Sequence, residues 1–355
     1  MLNYNNNNGY GGYNPNMQGG FNPFAVNQND KQEITHDCFR LGILLIIYEF
    51  LQNFLGKAFY YVVYTIREKQ VAFSWNFIVK YYRAHPKLLT STSFSMTMNI
   101  SVTLLALIIM FLVAKFGFHM GVKGYLKADS KKVGTAFKWF PGCYLTNLLF
   151  TYFGSFLIIF FNSSGVNVPE ADMSIRSPSA IALTVQFAYA VILAPLFEEL
   201  IFRGLILNTL SKYSKRTAVL VSALAFALMH GNVPQAVSAF GTGLLYAIIA
   251  VNSGSIVPTI IIHMLNNLFA SWDDFAKVLN IPQYELIQSI SMILVAIAGL
   301  YVFCTMLKQL RVERVGYKSL DYRQTNRIIL TNPVIICYFL YLLYYIVSAF
   351  ITYNR

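Results

Sequence analysis

The chain has 355 residues, of which 56% are hydrophobic and only 12% are charged, and its formal net charge at pH 7 is +12. Soluble domains carry about 25% charged residues, so the composition excludes an ordinary soluble domain and predicts an all-α polytopic membrane protein. The excess of Lys and Arg does not indicate a nucleic-acid partner, because these residues cluster in short loops between apolar stretches, as in the cytoplasmic loops of membrane proteins. The four cysteines form no CxxC and no Cys/His cluster, which argues against a disulfide framework and a zinc ribbon.

Residues 1–35 are predicted to be a disordered Asn/Gly-rich tail. The first thirty residues hold ten Asn and five Gly, without an apolar run and without Lys or Arg before Lys31. A signal peptide needs a charged start and an apolar core, so this segment is not one. Its prion-like composition is typical either of a solvated leader or of a segment that binds a partner.

Apolar stretches close to the roughly 20 residues that a helix needs to cross a bilayer recur along the rest of the chain. They predict eight or nine transmembrane helices, divided into an N-terminal group at 36–175, a central group at 176–272 and a C-terminal group at 273–355. The predicted spans are 41–66, 93–117, 139–161, 181–211, 216–230, 235–251, 255–271, 284–307 and 328–352.

Charges in the loops predict the orientation of these helices. The loops at 115–138, 212–216 and 308–327 are basic, whereas acidic pairs mark the loops at 170–172 and 273–274. Because basic loops remain in the cytoplasm, this alternation predicts a multi-pass protein, in the cell membrane, with a cytoplasmic N-terminus.

One loop contradicts this pattern. Residues 67–90 are basic although they fall on the external side. Either the sequence VAFSWNFIVKYY within this loop lies along a bilayer surface, or the first predicted span is wrong.

The sequence APLFEELIFRG places two adjacent carboxylates and an arginine inside an apolar run. Glu199 and Arg203 are four residues apart and share one helix face, whereas Glu198 points about 100° away. This geometry predicts a structural Glu199–Arg203 pair and leaves Glu198 free for chemistry. Pro195 is predicted to bend the helix beside Glu198. The alternative is a cluster that only locks helices together.

Two histidines follow in a stretch without other charges. Residues 217–272 contain no Asp, Glu, Lys or Arg, so His230 and His263 are their only side chains that titrate near neutrality. Phe226 lies one turn before His230, and Asn267 lies one turn after His263, with Asn266 turned away. Taken alone, His230 is more typical of a helix cap or a buried hydrogen-bond donor, and the His263 pair is equally compatible with hydrogen bonds between helices.

The predicted depths of Glu198, His230, His263 and Asn267 in the membrane are similar. At 1.5 Å per residue, Glu198 and His230 lie about 20 Å from the predicted ends of their helices, and His263 and Asn267 lie about 12 and 18 Å from theirs. The four side chains are therefore expected in one polar layer. A carboxylate at this depth is a base suited to activating water, and an imidazole and a carboxamide are donors for an oxyanion. Zinc is the alternative use of Glu, His and His, but HExxH spacing is absent and Asn is a poor zinc ligand.

The same residues resemble a known family, the CAAX protease and bacteriocin-processing enzymes, also called the Abi family, which includes the type II CAAX prenyl endopeptidases. The resemblance covers about residues 178–271 and consists of three motifs in order on successive apolar segments. They are EExxxR at Glu198, Glu199 and Arg203, FxxxH at Phe226 and His230, and HxxxN at His263 and Asn267.

The resemblance implies about eight helices around a conical intramembrane cavity, with residues 176–272 as the catalytic core. It also implies a glutamic-type intramembrane peptidase without a cofactor, in which Glu198 and His230 activate water and His263 and Asn267 stabilise the oxyanion. Its partners would be the lipid bilayer and a peptide or protein substrate in the membrane, lipid-modified or not.

Two other functions fit a chain of this kind. A scaffold or bacteriocin-immunity protein would keep the helices without cleaving, but it has no need of all four polar residues. A transporter would use Glu198 as a proton carrier, and the absence of an evident inverted repeat argues mildly against it.

Overall fold

The computed structural model describes residues 27–89, 91–121, 125–168 and 180–353. Within these ranges the chain forms helices and no strand, apart from one isolated bridge between Tyr317 and Leu320. The predicted all-α class is therefore confirmed. Residues 1–26 of the predicted tail and the acidic loop at 170–172 lie outside the described residues.

Fourteen α-helices are present in the described ranges, and most of them follow the predicted spans. A π-helical turn, Val113–Gly117, extends the helix Thr92–Leu112, and a 3₁₀ turn, Leu307–Leu310, extends the helix Tyr284–Met306. The α-helices are α1 Gln28–Glu68, α2 Trp75–Ala84, α3 Pro86–Leu89, α4 Thr92–Leu112, α5 Ser130–Ser163, α6 Ala180–Phe187, α7 Ala194–Glu199, α8 Asn208–Ser211, α9 Lys215–Met229, α10 Val233–Ser253, α11 Val257–Val278, α12 Tyr284–Met306, α13 Tyr322–Leu330 and α14 Pro333–Tyr353.

Residues 180–211, which we call the site helix, combine α-helical and π-helical segments. The π segments Ala188–Leu193 and Leu200–Leu207 lie on either side of α7. Pro195 stands in the first turn of α7; it has no N–H, and its ring crowds the carbonyl four residues earlier. The wider π turn that precedes it accommodates that crowding. The disturbance expected at Pro195 therefore takes the form of a π-helical turn, a feature frequent at functional sites.

Six helical stretches in the described residues are long and apolar enough to cross a membrane, which agrees with a multi-pass membrane protein. The other three predicted spans correspond to the segmented site helix, to α9 and to α11. These three elements carry the polar residues of the candidate site, and α9 has only 15 residues. The six stretches are Gln28–Glu68, Phe94–Gly117, Ser130–Ser163, Val233–Ser253, Tyr284–Leu310 and Pro333–Thr352.

Helix α10 holds the centre of the fold, where it packs between α5 and α9. Small residues make this close approach feasible, as is usual in membrane bundles. A Cβ added to Gly241 on α10 would overlap the ring of Phe150 on α5, and one added to Gly299 on α12 would overlap the carbonyl of Pro141 on α5. One large buried cluster joins α1, α4, the site helix, α9, α10 and α14, and a second joins α5, α10, α11 and α12. The site helix and α11 face each other between these two clusters.

Basic loops meet at one end of the bundle. The Lys215 Nζ atom, at the start of α9, lies 2.8 Å from the Glu313 carboxylate in the loop after α12. In the same loop, Lys318 Nζ lies 2.7 Å from the Glu33 carboxylate near the start of α1. The loops at 212–216 and 308–327 therefore share one side with the start of α1, as the charge pattern predicted.

The described part of the basic segment, residues 67–89, contains two short helices, α2 and α3, after the end of α1. Helix α1 is continuous, so its predicted span stands, and α2 is a separate helix that buries Ile78 and Tyr82. The Tyr82 hydroxyl donates to the Tyr60 carbonyl at 3.1 Å, and Tyr60 and Trp75 stack edge to face. Aromatic packing thus attaches this amphipathic helix to α1.

Several helix ends differ from the prediction, such as the start of α5 at Ser130 and the end of α11 at Val278; two others have an identifiable cause. Helix α1 begins at Gln28, so the last part of the predicted tail is helical; Asn27 caps it, and the Asp30 carboxylate accepts a 2.7 Å hydrogen bond from the Ser319 hydroxyl. The predicted span 328–352 is split between α13 and α14 at Asn332, whose side chain accepts a hydrogen bond from the Val334 N–H at 3.1 Å. Contacts between distant segments and the Pro333 ring decide these ends, and hydropathy does not detect either.

Candidate active site

The pair predicted from the EExxxR spacing is present and completely buried. Arg203 Nη1 lies 3.0 Å from Glu199 Oε1, at ion-pair distance although not aligned as a hydrogen bond, and both side chains are 0% exposed. Arg203 Nη2 also donates to the Gly243 carbonyl of α10 at 3.3 Å. The guanidinium carbon lies 4.4 Å from the ring centre of Phe226 and 5.3 Å from that of Tyr246. The pair therefore connects the site helix to α9 and α10.

His263 lies between the two glutamates. Its Nδ1 atom is 3.2 Å from Glu199 Oε1, and its Nε2 atom is 3.7 Å from Glu198 Oε2. Glu198 is partly exposed, whereas His263 is buried. The two glutamates are adjacent in the sequence, but their carboxylates lie in different surroundings. The imidazole of His263, on α11, contacts both of them.

His230 terminates α9, and its tautomer follows from one contact. Its Nδ1 atom lies 2.8 Å from the Phe226 carbonyl oxygen. A carbonyl oxygen only accepts, so Nδ1 carries the proton, and in the neutral ring Nε2 keeps its lone pair. No direct contact joins His230 to Glu198 among the described contacts, although both residues line the same cavity.

The ring of Phe226 contacts both histidines. It meets the His230 ring edge to face at 5.0 Å between centroids and the His263 ring at 5.6 Å. Because Arg203 also stacks on this ring, Phe226 connects the buried ion pair to the two imidazoles. Its packing explains why an aromatic residue one turn before His230 supports the site.

Both asparagines of HMLNN point into the site region. The Asn267 side-chain amide donates to the Ala190 carbonyl, in the first π segment, at 2.8 Å, and its second amide hydrogen remains available. Asn266 is buried, and its amide donates to the Tyr246 hydroxyl. The expectation that Asn266 turns away is wrong, because Tyr246 on α10 supplies a partner on that side of α11.

A cavity of about 810 Å³ contains Glu198, His230, His263 and Asn267 in its wall. Its other lining comes from α3, α4, α5, the site helix, α10 and α11, so the cavity crosses the region between the two buried clusters. Much of this lining is polar. The additional polar residues are Ser95, Asn99, Asn147, Thr151, Gln186, Tyr189, Gln235, Ser238, Thr242, Tyr246, Asn266 and Ser271.

Residues 180–269 match the family of Rce1-like type II CAAX prenyl endopeptidases. We refer to this matched segment, 180–269, as the Rce1-like domain for its similarity to that family. The matched segment includes every residue of the three motifs and excludes α1 to α5 and α12 to α14. Comparison with curated proteins and with solved structures found no match.

The zinc alternative depends on which donor atoms of Glu198, His230 and His263 are available. No group of three or more His, Cys, Asp or Glu side chains in the described ranges has the geometry of a metal site. The Nδ1 atoms of His230 and His263 face the Phe226 carbonyl and the Glu199 carboxylate, respectively. His263 Nε2 lies 3.7 Å from Glu198 Oε2, so a zinc ion at Glu198 would need His230 Nε2 to reach the same point.

Sequence reasoning missed the polar lining that lies outside the motifs. Asn147 and Thr151 on α5 are four residues apart, and Gln235 and Ser238 on α10 are three apart, so each pair shares one helix face. Polar residues at this spacing in apolar helices are the pattern that indicates a water-filled cavity. Tyr246 had no such indication, because a single buried tyrosine is ordinary in a membrane helix.

Proposed function

We propose that this protein is an intramembrane endopeptidase that hydrolyses peptide bonds of membrane-associated or lipid-modified substrates. One observation carries the proposal: Glu198, His230, His263 and Asn267 line a single cavity within the bundle. The Rce1-like match over residues 180–269 supports a peptidase of the CAAX-protease type. Ionisable groups at membrane depth are costly and usually functional, which gives the cavity a role beyond packing.

Water activation is assigned to Glu198 and His230. Glu198 is the carboxylate that reaches the cavity, whereas Glu199 is occupied by Arg203. His230 donates through Nδ1 to a backbone carbonyl, so its Nε2 lone pair is left to accept a hydrogen bond from water. Two acceptors on one cavity wall orient a water molecule and remove its proton as the oxygen attacks the substrate carbonyl.

Oxyanion stabilisation is assigned to His263 and Asn267. His263 Nδ1 lies 3.2 Å from Glu199 Oε1, whereas Nε2 lies 3.7 Å from Glu198 Oε2, too far for a hydrogen bond. A proton on Nε2 is therefore open to the oxyanion. The Asn267 amide is fixed by the Ala190 carbonyl and keeps one hydrogen for the developing negative charge. Donors fixed in advance are the most effective way to stabilise that charge.

The proposed mechanism uses no cofactor, and a zinc-dependent mechanism is the alternative.

The proposed substrate is a peptide that enters a cavity of about 810 Å³, large enough for several residues in an extended conformation. The cavity reaches from Glu198 to Leu89 and Ser271, at the end of the bundle opposite the basic loops. If the basic loops face the cytoplasm, the substrate enters from the other side of the membrane.

The test is peptide cleavage by purified protein in proteoliposomes. Fluorogenic peptides ending in a CAAX-like sequence, with and without a prenyl group on the cysteine, are incubated with wild-type protein and with Glu198→Gln. Glu285→Gln serves as a matched control, because that carboxylate is exposed and bonds only to its neighbour Tyr284. We expect cleavage by the wild type and the control alone, with the cut site identified by mass spectrometry. Failure of folded wild-type protein to cleave any peptide would favour the scaffold alternative and overturn the proposal.

A further inference from the structure

A second cavity adjoins the candidate active site. Its volume is about 340 Å³, and α1, α4, α9, α14 and the site helix form its wall. Three residues of the site helix, Tyr189, Ala194 and Glu198, line both cavities. Glu198 therefore stands at the boundary, and most of the second cavity is built from helices outside the Rce1-like domain.

The wall of this second cavity has the composition of a cation site. Four tyrosines surround it, with Glu49 and two carboxamides of α1, and no Lys or Arg contributes to it. A carboxylate beside aromatic rings is a typical receptor for an ammonium group, which gains from both charge and cation–π attraction. The tyrosines are Tyr48, Tyr189, Tyr341 and Tyr345.

The proposed catalytic mechanism gives no role to Glu49, which lines this second cavity. Its Oε1 atom is buried without a hydrogen-bond partner, and no ion pair involves it within the described residues. An ionised carboxylate in an apolar helix is costly unless a cation neutralises it. Nearby amides do not supply that charge: Asn53 donates to the Tyr341 hydroxyl at 2.9 Å and to the Glu49 backbone carbonyl at 3.0 Å. The carboxylate is therefore available to a cation from outside the chain.

The proposed reaction produces such a cation beside Glu198. Water adds its oxygen to the scissile carbonyl, the carbon–nitrogen bond breaks, and the nitrogen leaves with the proton that Glu198 took from the water. At neutral pH the released amine takes a further proton and becomes an ammonium group. It forms at the boundary of the two cavities, whereas the other product is a carboxylate.

We propose that the second cavity receives this ammonium group, the new amino terminus of the carboxy-terminal product, with Glu49 as its counter-ion. The inference rests on the proposed function. Its ligand chemistry is a primary alkylammonium, which a lysine side chain of the substrate also offers. Separation of the two charged products into different cavities keeps the amine away from the new carboxylate.

Direct binding of product-like peptides tests the inference without depending on turnover. A tripeptide with a free amino terminus and its N-acetylated form are titrated into wild-type protein, Glu49→Gln, Glu49→Asp and the control Glu285→Gln by isothermal titration calorimetry. We expect the wild type and the control to bind the free amine at least 10-fold more tightly than the acetylated form. Glu49→Gln should remove this preference, and Glu49→Asp should keep part of it. Equal affinities in the wild type, or a preference that survives in Glu49→Gln, would overturn the proposal.

A second set of peptides separates the two sources of ammonium. Acetylated peptides with one lysine are compared with the same peptides carrying norleucine. If Glu49 discriminates lysine from norleucine but not a free from an acetylated amino terminus, the cavity takes a side chain, and the assignment to the product is wrong. Absence of cleavage would refute the proposed function alone, because amine selectivity is measured by binding.

Discussion

Replacement of Arg203 by Met tests whether the buried ion pair holds the site together. Met keeps most of the side-chain volume but removes the charge, the 3.0 Å contact with Glu199 and the hydrogen bond to the Gly243 carbonyl. Both partners are 0% exposed, so water does not replace the lost interactions. Breaking a buried pair in this way costs about 3 to 5 kcal/mol. Glu199 would then lose its guanidinium partner and keep the 3.2 Å contact with His263.

A double-mutant cycle isolates the part of this loss in unfolding free energy that comes from the interaction between Glu199 and Arg203. The free energy of unfolding is measured in mixed micelles with an increasing fraction of denaturing detergent, for wild type, Arg203→Met, Glu199→Gln and the double variant. Because the double variant buries no unpaired charge, we expect it to be more stable than the sum of the single losses predicts, with a coupling energy of about 1 to 3 kcal/mol. An Arg203→Met protein within about 1 kcal/mol of wild type would refute the reasoning that the pair is structural.

Four further predictions concern the reaction and the orientation. Glu198→Gln should abolish peptide cleavage while its thermal unfolding stays close to that of wild type, and near-normal turnover would reject Glu198 as the base. Asn267→Ala should lower kcat by about 10²-fold or more with little change in KM; a change confined to KM would instead assign Asn267 to substrate binding. Protein stripped by a chelator and shown by elemental analysis to be metal-free should keep its activity, and loss of activity that zinc restores would favour the metal-dependent alternative. A tag on the N-terminus should resist external protease in intact cells, since the basic end of the bundle is expected to face the cytoplasm, and rapid removal of the tag would reverse the orientation.

Much of the fold was predictable because hydropathy and helix periodicity depend on local sequence. The apolar stretches located most helix ends to within a few residues, although α1 and α5 begin well before the predicted spans, and the spacing of Glu199 and Arg203 predicted their contact. Depth arithmetic likewise put Glu198 and His263 in one layer, and the structure has them 3.7 Å apart. Each of these inferences needs only the rise and the repeat of a helix.

Other features depend on which helices face each other, and a single sequence does not carry that information. The contact of His263 with both glutamates arises because α11 packs against α7. The partner of Asn266 is Tyr246 on a different helix, so helix periodicity alone gave the wrong direction for that side chain. The second cavity draws on α1 and α14, which lie far from the motifs in sequence and become neighbours only in the folded bundle.

The two π-helical turns beside α7 have a consequence for changes in chain length. A π turn contains an extra residue, so deletion of one residue from Ala188–Leu193 or Leu200–Leu207 allows that turn to relax to α geometry instead of breaking the helix. Deletion in the first segment would rotate Tyr189 and Ala190 relative to Glu198 by about 100° and leave Glu199 facing Arg203 as before. Single-residue deletions, which ordinarily disrupt a transmembrane helix, thus become a means by which evolution or a protein engineer can rotate the substrate-facing wall independently of the catalytic carboxylate.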